Sequence, residues 1–330
     1  MRVRFYLRSQ IDDERWDYFI SHSPQSILYA QSWYLDAVSP RWGALIAEEN
    51  DQWQAVMPLP FKKKWGFAVV QQPLFCQFLG VFTKSGVGIA ESEKLLLEAL
   101  PQHFRYISIY AGRFGSNAPF PPSFKQKTAK NYILSLGESY KSLQKNYSSD
   151  RCQNLKRAKK WSWICQESED IEPLIQLFKT YHASQIEGGV AESAYQTLRK
   201  IFAQLLQKQV VRLHYAIRGG QIEAGVMFVV WDKRIIYLFN AASDIGRQGN
   251  ARTWLIDNMI QSFAQSDYTF DFESPAIESI AGFYRSFGAT AEPYTEIRYN
   301  GLPFPLKQWQ AWRLQKINYT RSKLICEKTS

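Results

Sequence analysis

The clearest alternation of apolar and polar positions lies in the stretch 210–300. The apolar runs VVRLHYAIR and QIEAGVMFVVW are separated by Gly219-Gly220, and a second short polar turn precedes IIYLFNAAS. Such turn-forming pairs between apolar runs predict β-hairpins. TWLIDNMIQSFAQS then places its apolar residues on one helical face, and YTFDFES reads as a short strand. The helix SIAGFYRSFGA follows and is expected to end at Gly288. The pattern predicts an α/β unit.

A glycine-containing segment, DIGRQGNA, joins the last strand of this hairpin pair to the amphipathic helix. A strand whose closing turn opens a helix presents unpaired backbone N–H groups, and these groups can bind a phosphate. The alternative is a tight strand-to-helix turn that binds no ligand.

A weak internal repeat indicates how the chain is organised. Residues 47–56 (AEENDQWQAV) align without a gap with residues 216–225 (AIRGGQIEAG), and a predicted helix precedes each segment. Convergence on hairpin chemistry would give the same likeness, but we favour two copies of one α/β unit with mixed sheets flanked by helices. The predicted boundary divides the chain into 1–140 and 141–330, after a proline-rich loop. The second domain is expected to begin with a basic helix and to end with a C-terminal helix, LKQWQAWRLQKINYTRSKLI.

The basic helix is predicted from Arg151 to Lys160, capped by Ser148, Ser149 or Asp150. Its exposed positions are nearly all cationic, and four of them form a candidate polyanion site: Lys156, Arg157, Lys159 and Lys160. Crowded cations repel one another unless an anion lies nearby. The anion is either a bound ligand or the acidic segment ESEDIE just downstream, and the sequence leaves both open.

Composition narrows the class of protein. The chain has 330 residues, enough for two domains, and a net charge of +10, which favours phosphorylated partners. Its four cysteines follow no metal-binding or redox spacing, so we expect no metal site and a cytoplasmic location. No signal peptide or stretch of ~20 apolar residues is evident. We therefore expect no integral membrane segment, and we predict no DNA partner.

Several segments together resemble a known family. KNYSSDRCQNLKRAKKW, GRQGNARTWLIDNMI and FDFESPAIESIAGFYRSFGA are similar to the second half of FemABX-type and related acyltransferases of the GNAT superfamily. ILYAQSWYLDAV, AVMPLPFKKKWGF and QQPLFCQFLG resemble the N-terminal domain of that family. The resemblance covers nearly the whole chain and implies a duplicated GNAT-like fold. It also implies transfer of an acyl or aminoacyl group to an amine from acyl-CoA or aminoacyl-tRNA, with no permanently bound cofactor.

The resemblance also implies site residues. The superfamily's pyrophosphate loop has Gln or Arg, two residues, Gly, one residue, then Gly or Ala. Here the loop would be Gly246, Arg247, Gly249, Asn250 and Ala251, with the cation one position late. A tyrosine near the glycine that ends the following helix often protonates the leaving thiolate, and Tyr284 lies four residues before Gly288. The alternative for Tyr284 is simple packing of its helix.

Two carboxylates complete the candidate site. Asp271 and Glu273 alternate with Phe270 and Phe272, so both are expected on the strand face opposite the phenylalanines. One of them could deprotonate the acceptor ammonium. Otherwise they are polar ends of an edge strand, or partners of Arg252 and Arg285.

Three functions follow from these patterns. The first is an N-acyltransferase that uses acyl-CoA on a small amine, an amino sugar or a cell-envelope precursor. The second is an aminoacyl-tRNA-dependent ligase that extends peptidoglycan peptides, although no sustained heptads mark a coiled-coil insertion. The third is a non-catalytic binding module that retains the fold.

Overall fold

The computed structural model describes residues 1–111, 120–186, 188–273 and 278–312. The strands are β1 (Arg2–Leu7), β2 (Trp42–Glu49), β3 (Gln52–Lys64), β4 (Phe67–Gln71), β5 (Phe82–Thr83), β6 (Tyr106–Ala111), β7 (Lys125–Ser135), β8 (Ile164–Ser168), β9 (Val211–Arg218), β10 (Gln221–Trp231), β11 (Arg234–Ala242), β12 (Thr269–Asp271) and β13 (Thr290–Asn300). The helices are α1 (Asp13–Ser21), α2 (Ser32–Val38), α3 (Ile89–His103), α4 (Tyr140–Lys145), α5 (Ser149–Lys159), α6 (Glu172–Tyr181), α7 (Glu192–Gln207), α8 (Asp244–Gln248), α9 (Ala251–Ser262) and α10 (Glu278–Arg285).

The strands form one continuous mixed sheet in the order β1-β2-β3-β4-β6-β13-β7-β12-β11-β10-β9-β8, with β5 paired to β3. The pattern of parallel and antiparallel pairing is symmetric about the middle of this strand order. From either end inward the pairings are three antiparallel, one parallel and one antiparallel, and β13 and β7 meet antiparallel in the middle. The expected fold class, α/β with two repeated units, is confirmed.

The two aligned segments share their strand-pairing register as well as their sequence. Ala47 pairs with Ala55 in the first hairpin, and the aligned residues Ala216 and Ala224 pair in the second. Both turns require left-handed backbone: Asn50-Asp51 has φ of 50° and 60°, and Gly219-Gly220 has φ of 56° and 76°. The hairpins are therefore built in the same way although their turn residues differ.

The two halves exchange strands at the centre of the sheet. β7, which ends the first half of the sequence, pairs with β12, while β13, near the end of the second half, pairs with β6. The sheet therefore crosses the predicted boundary at residue 140. One apolar cluster also contains residues of both halves, among them Trp16, Tyr34, Leu198 and Phe202. The two halves share a core and a sheet.

The structure departs from the sequence expectations in two segments. β12 lies between β7 and β11, so it is an inner strand, and the alternative in which Asp271 and Glu273 are the polar ends of an edge strand is wrong. The segment DIGRQGNA is not a simple glycine turn, because α8 makes one helical turn there. Ser243 caps α8 by accepting from Gly246 N at 2.9 Å, and Asn250 then adopts φ 54° before α9 begins.

The C-terminal helix is described only in part. Residues 306–312 are helical, and the rest of the predicted helix lies outside the described residues. Trp309 packs edge-on against Trp65 of the first half, with ring centroids 5.4 Å apart. None of the helices within the described ranges is long and apolar enough to span a bilayer.

Candidate active site

The sheet has an opening where the pairing between β11 and β12 ends, and we call this opening the notch. The two strands are parallel and pair only from Arg234↔Thr269 to Ile236↔Asp271. β12 ends at Asp271, whereas β11 continues to Ala242. Side chains from β11, from the residues after β12 and from α10 meet beside this opening.

A cavity of about 250 Å³ lies at the N-terminus of α9. Its lining residues come from α5, the α8–α9 segment and α10, and they are Arg151, Asn154, Gly246, Arg247, Asn250, Arg252, Thr253 and Phe283. Asn250 makes no side-chain capping bond, so the first N–H groups of the 12-residue helix α9 are available to a ligand. Three arginines and a helix N-terminus give this cavity a positive potential that favours an anion. We call it the arginine cavity.

Arg151 is the buried cation of this cavity, with only 5% of its surface exposed. Its Nη1 donates to Thr253 Oγ1 at 2.6 Å and its Nε to Ser286 Oγ at 2.9 Å. The guanidinium also lies over the rings of Phe283 and Phe287. Burial lowers its pKa to about 10, and the nearby charge of Arg252 acts in the same direction. Within the described ranges, Arg151 forms no ion pair with a carboxylate.

The sequence did not single out Arg151 as a site residue, because it reads as one more cation of an exposed basic helix. The structure separates it from the others: Arg151, Leu155 and Ala158 form the buried stripe of α5. The i, i+4, i+7 spacing of these three residues is the signal that could have identified it.

The other two cavity arginines are held differently. Arg247 is paired with Asp244 of its own helix and reaches the Ala242 carbonyl at 3.4 Å. Arg252 donates from Nη1 to Asn240 Oδ1 at 2.8 Å. The Arg252 guanidinium is therefore bonded to a neutral amide, and its charge remains available to a ligand.

The two glycines of the predicted loop serve packing. A Cβ on Gly246 would lie 2.1 Å from the Glu223 carbonyl oxygen, and one on Gly249 would lie 2.2 Å from Cζ2 of Trp163. The Trp163 indole donates to the Gly249 carbonyl at 2.9 Å, and Trp161 stacks on Trp163. A side chain at Gly249 would meet these two indoles, so Gly249→Glu would report on packing and not on donor binding.

Glu273 lies just after β12 in a left-handed backbone conformation, with φ 47°. Burial of its carboxyl raises its pKa well above the ordinary value. Its Oε1 is buried and has no hydrogen-bond partner in the described part of the chain. A buried carboxyl that is free to exchange a proton is suited to acid–base chemistry.

Tyr284 lies on α10 beside this carboxyl and is 7% exposed. Its ring packs on Phe272, with centroids 4.8 Å apart. Burial raises its pKa, and the charges of Tyr237 and Glu273 raise it further, while Arg252 opposes them. Tyr284 is thus packed and also electrostatically coupled to Glu273, so packing and a catalytic role are compatible.

Asp271 does not share the environment of Glu273, contrary to the alternation expected from the sequence. Its Oδ2 accepts from Arg234 Nη1 at 2.8 Å, and its Oδ1 accepts from Asn131 Nδ2 at 2.8 Å. The same Oδ1 accepts from Glu273 N at 3.0 Å, which forms an Asx-turn. This turn ends the strand, so the two-residue alternation stops at Asp271. Its partner is Arg234 and not the suggested Arg252 or Arg285.

Glu273→Gln is expected to raise the melting temperature at neutral pH. Because the folded pKa of Glu273 is raised above its unfolded value, the folded state binds more protons than the unfolded state between these two pKa values. Stability from this group is therefore greatest below the unfolded pKa and falls as pH rises through the folded pKa. Thermal unfolding from pH 4 to 8 should show the gain at high pH and its disappearance at low pH. A gain that is the same at every pH would contradict the buried ionisable carboxyl.

The candidate polyanion residues divide between two surfaces of α5. Lys156 and Lys159 line a groove of about 350 Å³, while Arg157 and Lys160 are exposed outside its lining. The other residues that line the groove are Lys141, Gln144, Lys145, Cys152 and Leu155. We call this surface the lysine groove.

Two carboxylates of the acidic segment pair with cations outside the basic helix. Glu167 pairs with Arg212, and Glu172 pairs with Arg199. The alternative in which ESEDIE pairs with α5 is therefore wrong for these two carboxylates. Each has a nearer cation on a neighbouring element.

Comparison with known proteins identifies the second half of the chain. Residues 145–276 match the model of the acetyltransferase (GNAT) domain. This part of the chain is therefore similar to a GNAT acetyltransferase domain. The matched segment contains α5, α8, α9, Asp271 and Glu273, and it ends before Tyr284. The sequence matches no curated protein.

The structure resembles solved proteins over nearly its full length. FemX has a TM-score of 0.62 at 13% identity, covering 94% of this chain and 99% of its own. A conserved protein of unknown function from Bacteroides thetaiotaomicron has a TM-score of 0.57 at 10% identity, covering 88% of this chain and 96% of its own. At these identities the likeness concerns the fold. The duplicated, FemABX-related GNAT fold expected from the sequence is confirmed.

Proposed function

We propose that the protein is an N-acyltransferase that moves an acyl group from acyl-CoA to an amine. The observation that carries the proposal is the cavity of the GNAT domain in which Arg151, Arg247 and Arg252 surround the N-terminus of α9. The buried charge of Arg151 and the nearby charge of Arg252 repel each other, so an anion that enters between them stabilises the arrangement. The pyrophosphate of coenzyme A has the required charge and size, and helix N–H groups supply further donors.

The chemistry proposed for the neighbouring residues follows from their positions. An attacking amine must be neutral, and the buried carboxylate of Glu273 can accept its proton. Tyr284 lies within electrostatic reach of that carboxyl and can take part in the same proton transfer. Gly246, Gly249, Asn250 and Ala251 shape the segment that brings the α9 N–H groups to the donor. Asp271 fixes the backbone of Glu273.

For the acceptor we propose a small amine, an amino sugar or a cell-envelope precursor. We place the reaction in the cytoplasm, where acyl-CoA is available. The three described cysteines, Cys76, Cys152 and Cys165, are free thiols, which fits a reducing compartment.

A thiol-release assay tests the proposal. The intact protein is incubated with acetyl-CoA or longer acyl-CoA donors and a panel of amines, and free coenzyme A is measured. Amine-dependent thiol release that Glu273→Gln removes is expected. Saturable acyl-CoA binding without release for any amine would instead favour a non-catalytic binding module.

The lysine groove favours a second candidate function, aminoacyl-tRNA-dependent transfer. Four exposed lysines line one concave surface, and within the described ranges none of them forms an ion pair. Like charges in a concave surface focus the field on a polyanion. Such a groove suits a phosphodiester backbone. The groove lies beside α5, whose first turn also lines the arginine cavity.

Replacing the four groove lysines, Lys141, Lys145, Lys156 and Lys159, by Gln is expected to weaken tRNA binding. It should also reduce the slope of log K against log salt by about 0.7–0.9 for each phosphate that the variant no longer neutralises. The matched control replaces four exposed lysines elsewhere, Lys62, Lys63, Lys94 and Lys125. Filter binding at several salt concentrations measures both slopes. Equal slopes for the two variants would remove the groove from polyanion binding.

A further inference from the structure

Two buried tyrosines from different elements meet at the notch. Tyr237 is the first residue of β11 beyond its last pair with β12, and it is 4% exposed. Its ring lies 6.2 Å from that of Tyr284, nearly perpendicular to it. Neither hydroxyl forms a hydrogen bond with any residue that the structure describes. Buried polar atoms are normally hydrogen-bonded, so the enclosed Glu273 Oε1 that lacks a partner, near two hydroxyls that the described residues leave unbonded, indicates a site that a ligand completes.

The nearby charges determine which of the two tyrosines carries a phenolate more readily. Tyr237 is influenced by two cations of the arginine cavity, Arg252 and Arg151. Tyr284 is influenced by only one of them, Arg252, and also by Tyr237 and Glu273, which act in the opposite direction. Burial raises the pKa of Tyr237 to about 12, and the two arginines limit that rise. Glu273 instead adds to the rise in the pKa of Tyr284. A phenolate is therefore better stabilised on Tyr237, the tyrosine influenced by both arginines of the arginine cavity.

We propose that Tyr237 protonates the leaving sulfur and that Tyr284 passes the proton of the acceptor from Glu273 to Tyr237. The inference rests on the proposed acyl-CoA-dependent function and deepens it. Sequence reasoning missed Tyr237, because a tyrosine in an apolar strand reads as core. The pairing of β11 with β12, which stops one residue before it, is the feature that assigns it.

The proton transfers balance without an outside reactant. The acceptor enters this step as a neutral amine, after its ammonium proton has passed through Glu273 to solvent. Its nitrogen forms a bond with the thioester carbonyl carbon, and the bond from that carbon to sulfur breaks. Glu273, initially a carboxylate, accepts the proton that the nitrogen loses. Tyr237 gives its hydroxyl proton to the sulfur and is restored by Tyr284, which is restored by the protonated Glu273. All three residues return to their starting states, and the products are an amide and free coenzyme A.

Tyr237→Phe tests the assignment because it removes the hydroxyl and retains the ring. A general acid is needed for a basic alkyl thiolate but not for a weakly basic leaving group. Turnover is therefore measured with acetyl-CoA and with the acetyl thioester of 4-nitrothiophenol, together with acetyl-CoA affinity. With acetyl-CoA we expect turnover to fall by ~10²–10⁴-fold, the range for one acid catalyst, at unchanged affinity. With the aryl thioester the loss should be no more than a few-fold.

The matched control is Tyr195→Phe, which changes another buried tyrosine in a different part of the core. It should leave both reactions nearly unchanged. Normal turnover of Tyr237→Phe with acetyl-CoA would overturn the inference and leave Tyr284 as the direct acid. An equal loss with both donors would also overturn it, since the hydroxyl would then not act on the leaving group. A wild-type protein that is silent with both donors would reject the proposed function itself.

Discussion

Tyr284→Phe is expected to reduce turnover by ~10²–10⁴-fold with little change in acetyl-CoA affinity or melting temperature. The variant keeps the ring, and with it the contact with Phe272 at 4.8 Å between centroids. It removes a hydroxyl that makes no hydrogen bond to the described residues, so folding loses little. The hydroxyl acts only while protons move, and a loss confined to the transition state lowers kcat and kcat/KM equally.

Steady-state kinetics of the folded variant measures this effect. Arg285→Gln is a suitable control, since it changes the adjacent exposed residue of α10. Full activity of Tyr284→Phe would assign the tyrosine to packing. Glu273 would then have to exchange its proton directly with solvent or with the acceptor.

Arg151→Met is expected to weaken acetyl-CoA binding by ~10–100-fold. A hydrogen bond to a charged group contributes about 1.5–3 kcal/mol, and about 1.4 kcal/mol corresponds to a tenfold change in affinity. Methionine has a flexible apolar chain that can still pack on Phe283 and Phe287, which the arginine covers. The variant therefore removes the buried charge and retains much of the packing.

The control for this variant is Arg218→Met. Arg218 also lies over an aromatic ring, that of Trp161, but it is outside the arginine cavity. Equal donor affinity for Arg151→Met and wild type would show that the buried cation is structural. The only function of Arg151 would then be to pack on these rings and to hydrogen-bond the hydroxyls.

Much of the second half could be predicted from sequence because its signals are local. The hairpin turn at Gly219-Gly220, the cap at Ser148 and the left-handed turn at Gly288 just after α10 depend on residues within a few positions of one another. The aligned pairs Ala47–Ala55 and Ala216–Ala224 likewise reflect hairpins, whose registers their turns fix.

The parts that could not be predicted depend on contacts between distant segments. β7 and β13 pair with strands of the opposite half, and the hydrophobic periodicity of a strand does not determine which strand it pairs with. The packing of Trp163 on Gly249 fills a space that the loop motif suggested was open to a phosphate. Asp271 follows the strand alternation, but its Asx-turn with Glu273 ends that alternation one residue later.

The most direct test of the account is calorimetric titration of the intact protein with acetyl-CoA, repeated with the Arg151→Met variant. We predict saturable binding to one site per chain, and a clear loss of affinity in the variant. Binding should also weaken with salt, because the donor phosphates would pair with arginines. No saturable binding to wild type would contradict the assignment of the arginine cavity as the acyl-CoA site.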